Sequence, residues 1–507
     1  MNQGTIMTPS PSDRRRRGLL LAVCVASFLE PLATTVVTVS LPQIQHATGA
    51  TFADLQWVLN AYVLTFAALV LTGGALADRF GRRRIFMMGL QAFIAASLVC
   101  GFAPTPRVLV LGRALEGVGA AFMLSAGLAL MVQDFHGTAR VRAFALWGVV
   151  VGAGSALGPL VGGVVTDLFG WRWTFFLNVP VCLPLVWLTL RTATESRDPL
   201  AERIDWLGVS SFTAMFFVLM AALIEGNRLG WQHPLIVGAL AGAVLLLAAF
   251  LWAQLRQARP MVDLSLFANR TFAGASIVAV AIAAAFFTLL VYLPVYLQGV
   301  LGYSPTAAGL ALLPMAVPLL VMGPVSARLA VRLPPRLLLP LGLLVIAAGA
   351  FAIGCVGEHG AAAVYVGMVV TGVGAGLING ELSNVAIGVI APERSGMASG
   401  ISNTMRQLGF GVGIAGLGAV FGADLARGLG GYGADFVGRV SSGDVVNAVA
   451  AVAHGQEAAR DLAVRTLTGG IASLALCAAA LAAVAAVLAV MLIASRAGRS
   501  TLAPAHP

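Results

Sequence analysis

The chain has 507 residues, of which 59% are hydrophobic and only 10% charged, with a positive mean hydropathy. Soluble domains carry about a quarter charged residues, so this composition excludes a water-soluble globular protein and points to an integral membrane protein. The net charge of +10 rests on 31 basic residues, all arginine, set in short connections between apolar runs, where they orient a chain in a bilayer and do not form a nucleic-acid surface.

The apolar runs match the ~20 residues a helix needs to cross the hydrocarbon core, and the alternating ten-residue segments of a membrane barrel are absent. In chain order, fourteen spans are expected over 18–40, 54–76, 85–103, 108–131, 143–166, 174–191, 207–224, 235–254, 272–297, 307–327, 337–356, 362–388, 399–424 and 467–495. "SDRRRRG" leads straight into the first span without a signal-peptide cleavage pattern. The five cysteines lie inside apolar runs and the six histidines in connections, at span ends or at the terminus, so no disulfide framework and no metal is expected.

Arginines mark the sides. The connections on the N-terminal side include "DRRRR", "DRFGRRR", "GTARVR" and "ARLAVRLPPR"; the other side holds only Arg107, Arg172, Arg228, Arg427, Arg439, Arg460 and Arg465. Both termini are therefore expected in the cytoplasm. Arginine in place of every lysine suits a GC-rich bacterial genome, which makes a bacterial plasma membrane the expected location.

An internal repeat explains the number of spans. "GALADR" (74–79) is echoed by "GPVSAR" (323–328), and "EGVGAAF" (116–122) by "TGVGAGL" (371–377), both at about 250 residues, where six spans occupy only about 175. Two extra spans fill the difference. The expected division is a tail over 1–17, a six-helix bundle over 18–192, two inserted helices with linkers over 193–271, a second six-helix bundle over 272–495 containing an extracytoplasmic loop at 425–466, and a tail over 496–507.

These segments carry a resemblance. "GALADRFGRRR" (74–84), "GRALEGVGAAF" (112–122) and "GSALGPLVGG" (154–163) resemble the loop, fourth-helix and antiporter motifs of the major facilitator superfamily. "QWVLNAYVL" (56–64), "WRWTFFLNVPV" (171–181), "DWLG" (205–208), "LQGVLGYSPTAAGLALLP" (297–314) and "NTMRQLGFGVG" (403–413) are similar to its fourteen-helix drug:proton antiporter branch. The resemblance implies an all-α membrane fold of two six-helix repeats, and antiport driven by the proton gradient without a cofactor. The branch usually carries an acid where Ala33 stands and a glutamine where Glu116 stands.

The candidate residues follow from charge at membrane depth. An ionised side chain at a helix centre costs about 2.5–3.5 kcal/mol, and burial favours the neutral form of a carboxyl group, so Glu30, one helical turn before Ala33, is a candidate proton carrier. Its alternative role is a structural hydrogen-bond acceptor. Arg113 and Glu116, three residues apart, suit an intrahelical pair on the proton path, and Glu381 is the third buried acid. In the loop motif Gly74, Asp78, Arg79, Gly81, Arg82 and Arg83 form a candidate conformational latch that would stabilise an outward-open state, with Gly74 allowing close helix approach. Gly154, Gly158, Pro159, Gly162 and Gly163 form a candidate bend and tight-packing stripe. Trp57, Tyr62, Asn379, Asn384, Asn403 and Arg406 are candidates to line a substrate cavity.

The function expected is a proton-coupled exporter of amphiphilic organic compounds such as antibiotics, acting as a monomer with the lipid bilayer, protons and its small-molecule cargo as partners. ATP is not implied, since no G-x(4)-G-K-[ST] and no lysine occur. A proton-coupled importer, a non-transporting sensor and a membrane-embedded enzyme are the rival readings. The enzyme lacks a nucleophile, metal or cofactor cluster in the sequence.

Overall fold

The computed structural model describes residues 11–197, 205–257, 260, 262–388 and 395–494, and every regular element among them is a helix. Among the described residues fourteen helices are long and apolar enough to cross a membrane: α1 (Arg14–Thr48), α2 (Phe52–Phe80), α3 (Arg82–Gly101), α4 (Pro106–Asp134), α5 (Arg142–Phe169), α6 (Trp173–Thr192), α7 (Trp206–Leu229), α8 (Pro234–Arg256), α9 (Arg270–Gly299), α10 (Pro305–Ala330), α11 (Pro335–Gly354), α12 (Ala361–Ala386), α13 (Gly400–Tyr432) and α14 (Gln456–Leu492). The tail expected over 496–507 and the first ten residues of the tail expected over 1–17 lie outside the described residues. Pro11 already begins the helix that becomes α1.

Starts and stops follow local chemistry. α2 opens with a reciprocal capping box, Thr51 N–H donating to Asp54 at 2.8 Å and Asp54 N–H to Thr51 Oγ1 at 3.2 Å. α4 and α10 pair a Thr105 or Ser304 cap with proline at the first helical position. α1 is not uniform: it tightens to 3-10 geometry over Val36–Ser40, where Thr35 and Thr38 hydroxyls donate back to the carbonyls of Pro31 and Thr35 at 2.9 and 2.7 Å. α9 contains a π-turn over Ala283–Phe287, a distortion that often marks functional positions.

The 425–466 connection is shorter than its sequence suggests. α13 runs on to Tyr432 and α14 begins at Gln456, leaving two short helices, Ala434–Ser442 and Val445–Ala450. Gly455, with a φ of +73°, caps the start of α14 and separates it from Val445–Ala450.

The two halves pack alike. In the first, α4 packs on α2 and α3 while α1 packs on α5 and α6; in the second, α12 packs on α10 and α11 while α9 packs on α13 and α14. The echoing glycines explain the match. A Cβ at Gly117 would stand 2.4 Å from the Tyr62 carbonyl oxygen of α2, and one at Gly119 would stand 2.9 Å from that of Gly89 in α3. In the second copy, Gly372 meets the Met315 oxygen of α10 at 2.3 Å and Gly374 that of Gly342 in α11 at 2.6 Å. Each small residue lets two backbones meet.

The halves join along two seams, α2 with α13 and α5 with α10, and α7 of the inserted pair packs on α2 and α13. The pair is tied together at its own base. Asp205 of "DWLG" caps Gly208 N–H at 2.6 Å and accepts from Gln254 and Gln257 of the α8 end, both at 2.8 Å.

Cross-half bonds gather at the arginine-poor end. Gln56 donates to the Tyr292 hydroxyl at 3.1 Å and the Ile414 carbonyl at 3.2 Å, Gln298 donates to the Val39 carbonyl at 3.1 Å, and the Ser442 hydroxyl donates to Gln45. Asp167, at the end of α5, accepts from Ser304 at 3.0 Å and from Thr306 N–H at 2.8 Å, so a carboxylate of one half caps a helix of the other.

Because Gly119 has no room for a side chain, Gly119→Leu should lower the melting temperature of the detergent-purified protein, overpacking costing about 1–3 kcal/mol. Gly416→Ala, where a Cβ meets nothing within 4 Å, should leave it unchanged or raise it. Equal melting curves for the two variants would mean that the α3–α4 contact does not limit stability.

Candidate functional site

Glu30 stands on α1 at the junction of the halves and is 5% exposed. Its Oε1 accepts from Gln407 Nε2 of α13 at 3.2 Å, a bond that crosses from one half to the other. Its carbonyl accepts from Thr34 at 3.1 Å and from the Tyr62 hydroxyl at 3.0 Å. Pro31 lies directly after it, and the hydroxyls of Thr34 and Tyr62 hold the backbone where α1 begins to depart from regular geometry.

From Tyr62 the network continues into α4. The Arg113 guanidinium lies 4.4 Å from the centroid of the Tyr62 ring and 6.0 Å from that of Phe175. Arg113 is fully buried; its Nε donates to the Val58 carbonyl at 3.1 Å and its Nη1 to Glu116 at 2.5 Å. Glu116, also fully buried, uses its other oxygen to accept from Ser97 at 2.8 Å and Asn178 at 3.0 Å. The pair expected from the three-residue spacing is therefore present, and Ser97 and Asn178 complete the carboxylate's shell.

On the second half, Arg406 is half-buried and donates to Asn403 Oδ1 at 2.9 Å, next in sequence to the Gln407 that bonds Glu30. The structure thus gathers Glu30, Tyr62, Arg113, Glu116, Asn403 and Arg406 into one region. Glu381 is elsewhere: half-buried on α12, it accepts from Asn384 at 3.3 Å and bonds none of those groups, and Asn379 is half-buried on the same helix. The Trp57 ring is tilted by 36° against that of Phe217 of α7, with centroids 5.4 Å apart, on the other side of α2 from Tyr62.

The glycine motif of α5 divides its contacts. Gly154, Gly158 and Gly162 face α1, where added Cβ atoms would stand 2.5 Å from the Phe28 oxygen, against Thr35 Oγ1, and 2.3 Å from the Val36 oxygen. Gly163 faces the Pro305 oxygen of α10, and Gly309 of α10 faces the Pro159 oxygen in return, at 2.3 and 2.5 Å. One stripe therefore seats the Glu30 helix and also fastens one seam.

The loop motif closes on its own half. Asp78 accepts from Arg82 at 2.9 Å, Arg79 lies 5.4 Å from the Phe80 ring centroid, and Gly81 adopts φ +116°. Arg83 donates to the Leu190 carbonyl at 3.2 Å, while Glu195 accepts from the N–H groups of Arg83 and Arg84, both at 3.2 Å. The close approach expected of Gly74 is made by Gly73, against Ser125 and the Ala121 carbonyl of α4; a Cβ on Gly74 would meet nothing within 4 Å. Its face of α2 points away from α4.

Sequence reasoning missed Gln407, Ser97, Asn178, Glu195 and Asp167. Gln407 and Asn178 lie inside motif segments, but nothing in their spacing shows partners 377 and 62 residues away. Among the described residues no three His, Cys, Asp or Glu side chains assemble a metal set, and the cysteines are free thiols.

Removing one partner of a buried pair strands the other charge, so Arg113→Leu should destabilise the protein by about 3–5 kcal/mol. The double change Arg113→Leu/Glu116→Leu should regain most of that loss. Denaturation in detergent measures both, and a single variant as stable as the double one would refute this account of the pair.

A family model for the Major Facilitator Superfamily matches residues 23–414. The chain is 33% identical over 411 residues to the multidrug resistance protein Stp of Mycobacterium tuberculosis, covering 81% of this chain and 76% of that protein. It is 35% identical over 412 residues to the puromycin resistance protein pur8 of Streptomyces alboniger, covering 80% and 81%. To the methylenomycin A resistance protein of Streptomyces coelicolor it is 34% identical over 407 residues, covering 79% and 85%. In fold it is similar to a bacterial homologue of the human lysosomal transporter Spinster in an inward-facing, unoccupied conformation, with a TM-score of 0.65, 19% identity, and coverage of 96% of this chain and 100% of that one. Paired six-helix repeats, the glycine contacts that repeat with them and the family match agree: the chain belongs to the Major Facilitator Superfamily.

Proposed function

We propose that the protein exports amphiphilic organic compounds, antibiotics among them, across a bacterial plasma membrane in exchange for protons entering the cell, with both termini in the cytoplasm. The observation that carries the reading is Glu30: a carboxyl group with almost no exposure, bonded to the opposite half through Gln407 and linked through Tyr62 to the Arg113–Glu116 pair. A group so placed changes its surroundings whenever the halves part, and a carboxyl group alone among its neighbours exchanges a proton readily in that setting. The names of the relatives, which speak of resistance to several antibiotics, support export over import.

Energy would come from the proton gradient, one inward charge releasing ~2.3 kcal/mol per 100 mV. Substrate and proton alternate as the halves rock about the seams. With the arginine-rich end taken as cytoplasmic, the cross-half bonds of Gln56, Gln298, Asp167 and Ser442 hold the halves together at the outer face in this conformation. Asp78, paired with Arg82 in this conformation, would serve as a latch after exchanging that partner in the outward-open state.

The deciding experiment uses proteoliposomes with an imposed pH gradient and a panel of cationic, neutral and anionic amphiphiles that includes puromycin. Wild type should release protons on addition of a transported compound. Glu30→Gln should still bind that compound while losing proton release at least tenfold. Normal coupling in Glu30→Gln would move the proton site elsewhere, and an absence of flux for every compound would count against export.

A further inference from the structure

The first turns of α2 place two carboxamides one turn apart on the face that meets α13. Gln56 spends its amide on two bonds across the seam, to Tyr292 and to Ile414. Asn60 is 1% exposed, and neither its Nδ2 nor its Oδ1 has a partner in the protein. A Cβ on Gly411 of α13 would stand 3.4 Å from Asn60 Oδ1 and 2.8 Å from the ring of Phe216 on α7, so the amide lies against Gly411 with that ring nearby.

Buried polar groups are nearly always bonded, and an amide buried without a partner destabilises the state that buries it. A leucine would fill the same space without that penalty. The closed seam therefore gives no reason for an amide at this position, whereas Gln56, one turn away, earns its place by holding the halves together. The α2–α13 seam is a joint between the halves, and opening the arginine-poor end parts these two helices where Asn60 sits.

We propose that Asn60 is a cargo-binding residue. With the seam parted, its carboxamide donates to and accepts from a carbonyl, amide or hydroxyl group of an aromatic amphiphile whose ring lies against Phe216. The site then combines a polar anchor from the first half with an aromatic wall from the inserted helix α7, which gives the inserted pair a part in recognition. This inference rests on the exporter reading above and adds the class of cargo and a residue that recognises it.

Puromycin and ethidium, both aromatic amphiphiles with hydrogen-bonding groups, are the probes, followed in proteoliposomes alongside the melting temperature of the same preparations. Asn60→Leu should melt at or above the wild-type temperature yet move the probes about tenfold more slowly, the worth of one hydrogen bond in a dry site. Asn60→Leu moving them at the wild-type rate would overturn the proposal, and would leave proton-coupled export by the wild type intact. A second measurement needs no cargo. Asn60→Cys, in a chain whose five native cysteines are alanines, is treated with a small charged thiol reagent from the arginine-poor side under opposite pH gradients. Reaction under one gradient and protection under the other supports a place on the path, and no reaction under either overturns it. If the wild type moves neither probe, the exporter reading fails for these compounds, and the cysteine reaction still decides whether Asn60 meets the path.

Discussion

Lipid tails are as apolar as leucine, so the hydrophobic effect does little to hold membrane helices to one another; what does is the closeness with which their backbones meet. In this protein that closeness is concentrated at glycines that oppose carbonyl oxygens or, at Gly158, a threonine hydroxyl: Gly117 and Gly119 in the first half, Gly372 and Gly374 in the second, and the α5 stripe from Gly154 to Gly163. The same contacts that stabilise each half also define its shape. α4 and α12 become the centres on which α2, α3, α10 and α11 are seated, and α1 is held against α5 where Glu30 needs a fixed backbone.

With the frame set by small residues, the polar side chains are left to act between its parts. Their bonds fall into two kinds. Arg113, Glu116, Ser97 and Asn178 bond to one another within the first half, while Arg113 Nη2 has no hydrogen-bond partner among the described residues. Glu30 with Gln407, and Gln56 with Tyr292 and Ile414, cross between halves, so each must break and re-form if the halves move. Tyr62 connects the two kinds, with its hydroxyl on the Glu30 carbonyl and its ring under the Arg113 guanidinium.

Much of the fold was legible in the sequence because its signals are short-range or periodic. Span number followed from apolar length, the repeat from the G-V-G echo, and the Arg113–Glu116 pair from a three-residue spacing on a helix. What escaped were the partners supplied by remote segments. Asp167 reads as an ordinary exposed acid at a span end, and only the docking of α10 makes it a cap on another half's helix. Glu195 lies in a charged connection that resembles solvated linker, although it holds the start of α3. Motif position says nothing about which of two adjacent glycines faces the neighbouring helix, and here it is Gly73 and not Gly74.

The inserted pair gives the molecule a consequence that two six-helix halves alone would not have. α7 lies along the α2–α13 seam, while neither inserted helix makes a comparable contact with α5 or α10. Of the two joints between the halves, one is therefore flanked by a helix of the insert and the other is not, so the pseudo-symmetry of the two repeats does not extend to their seams.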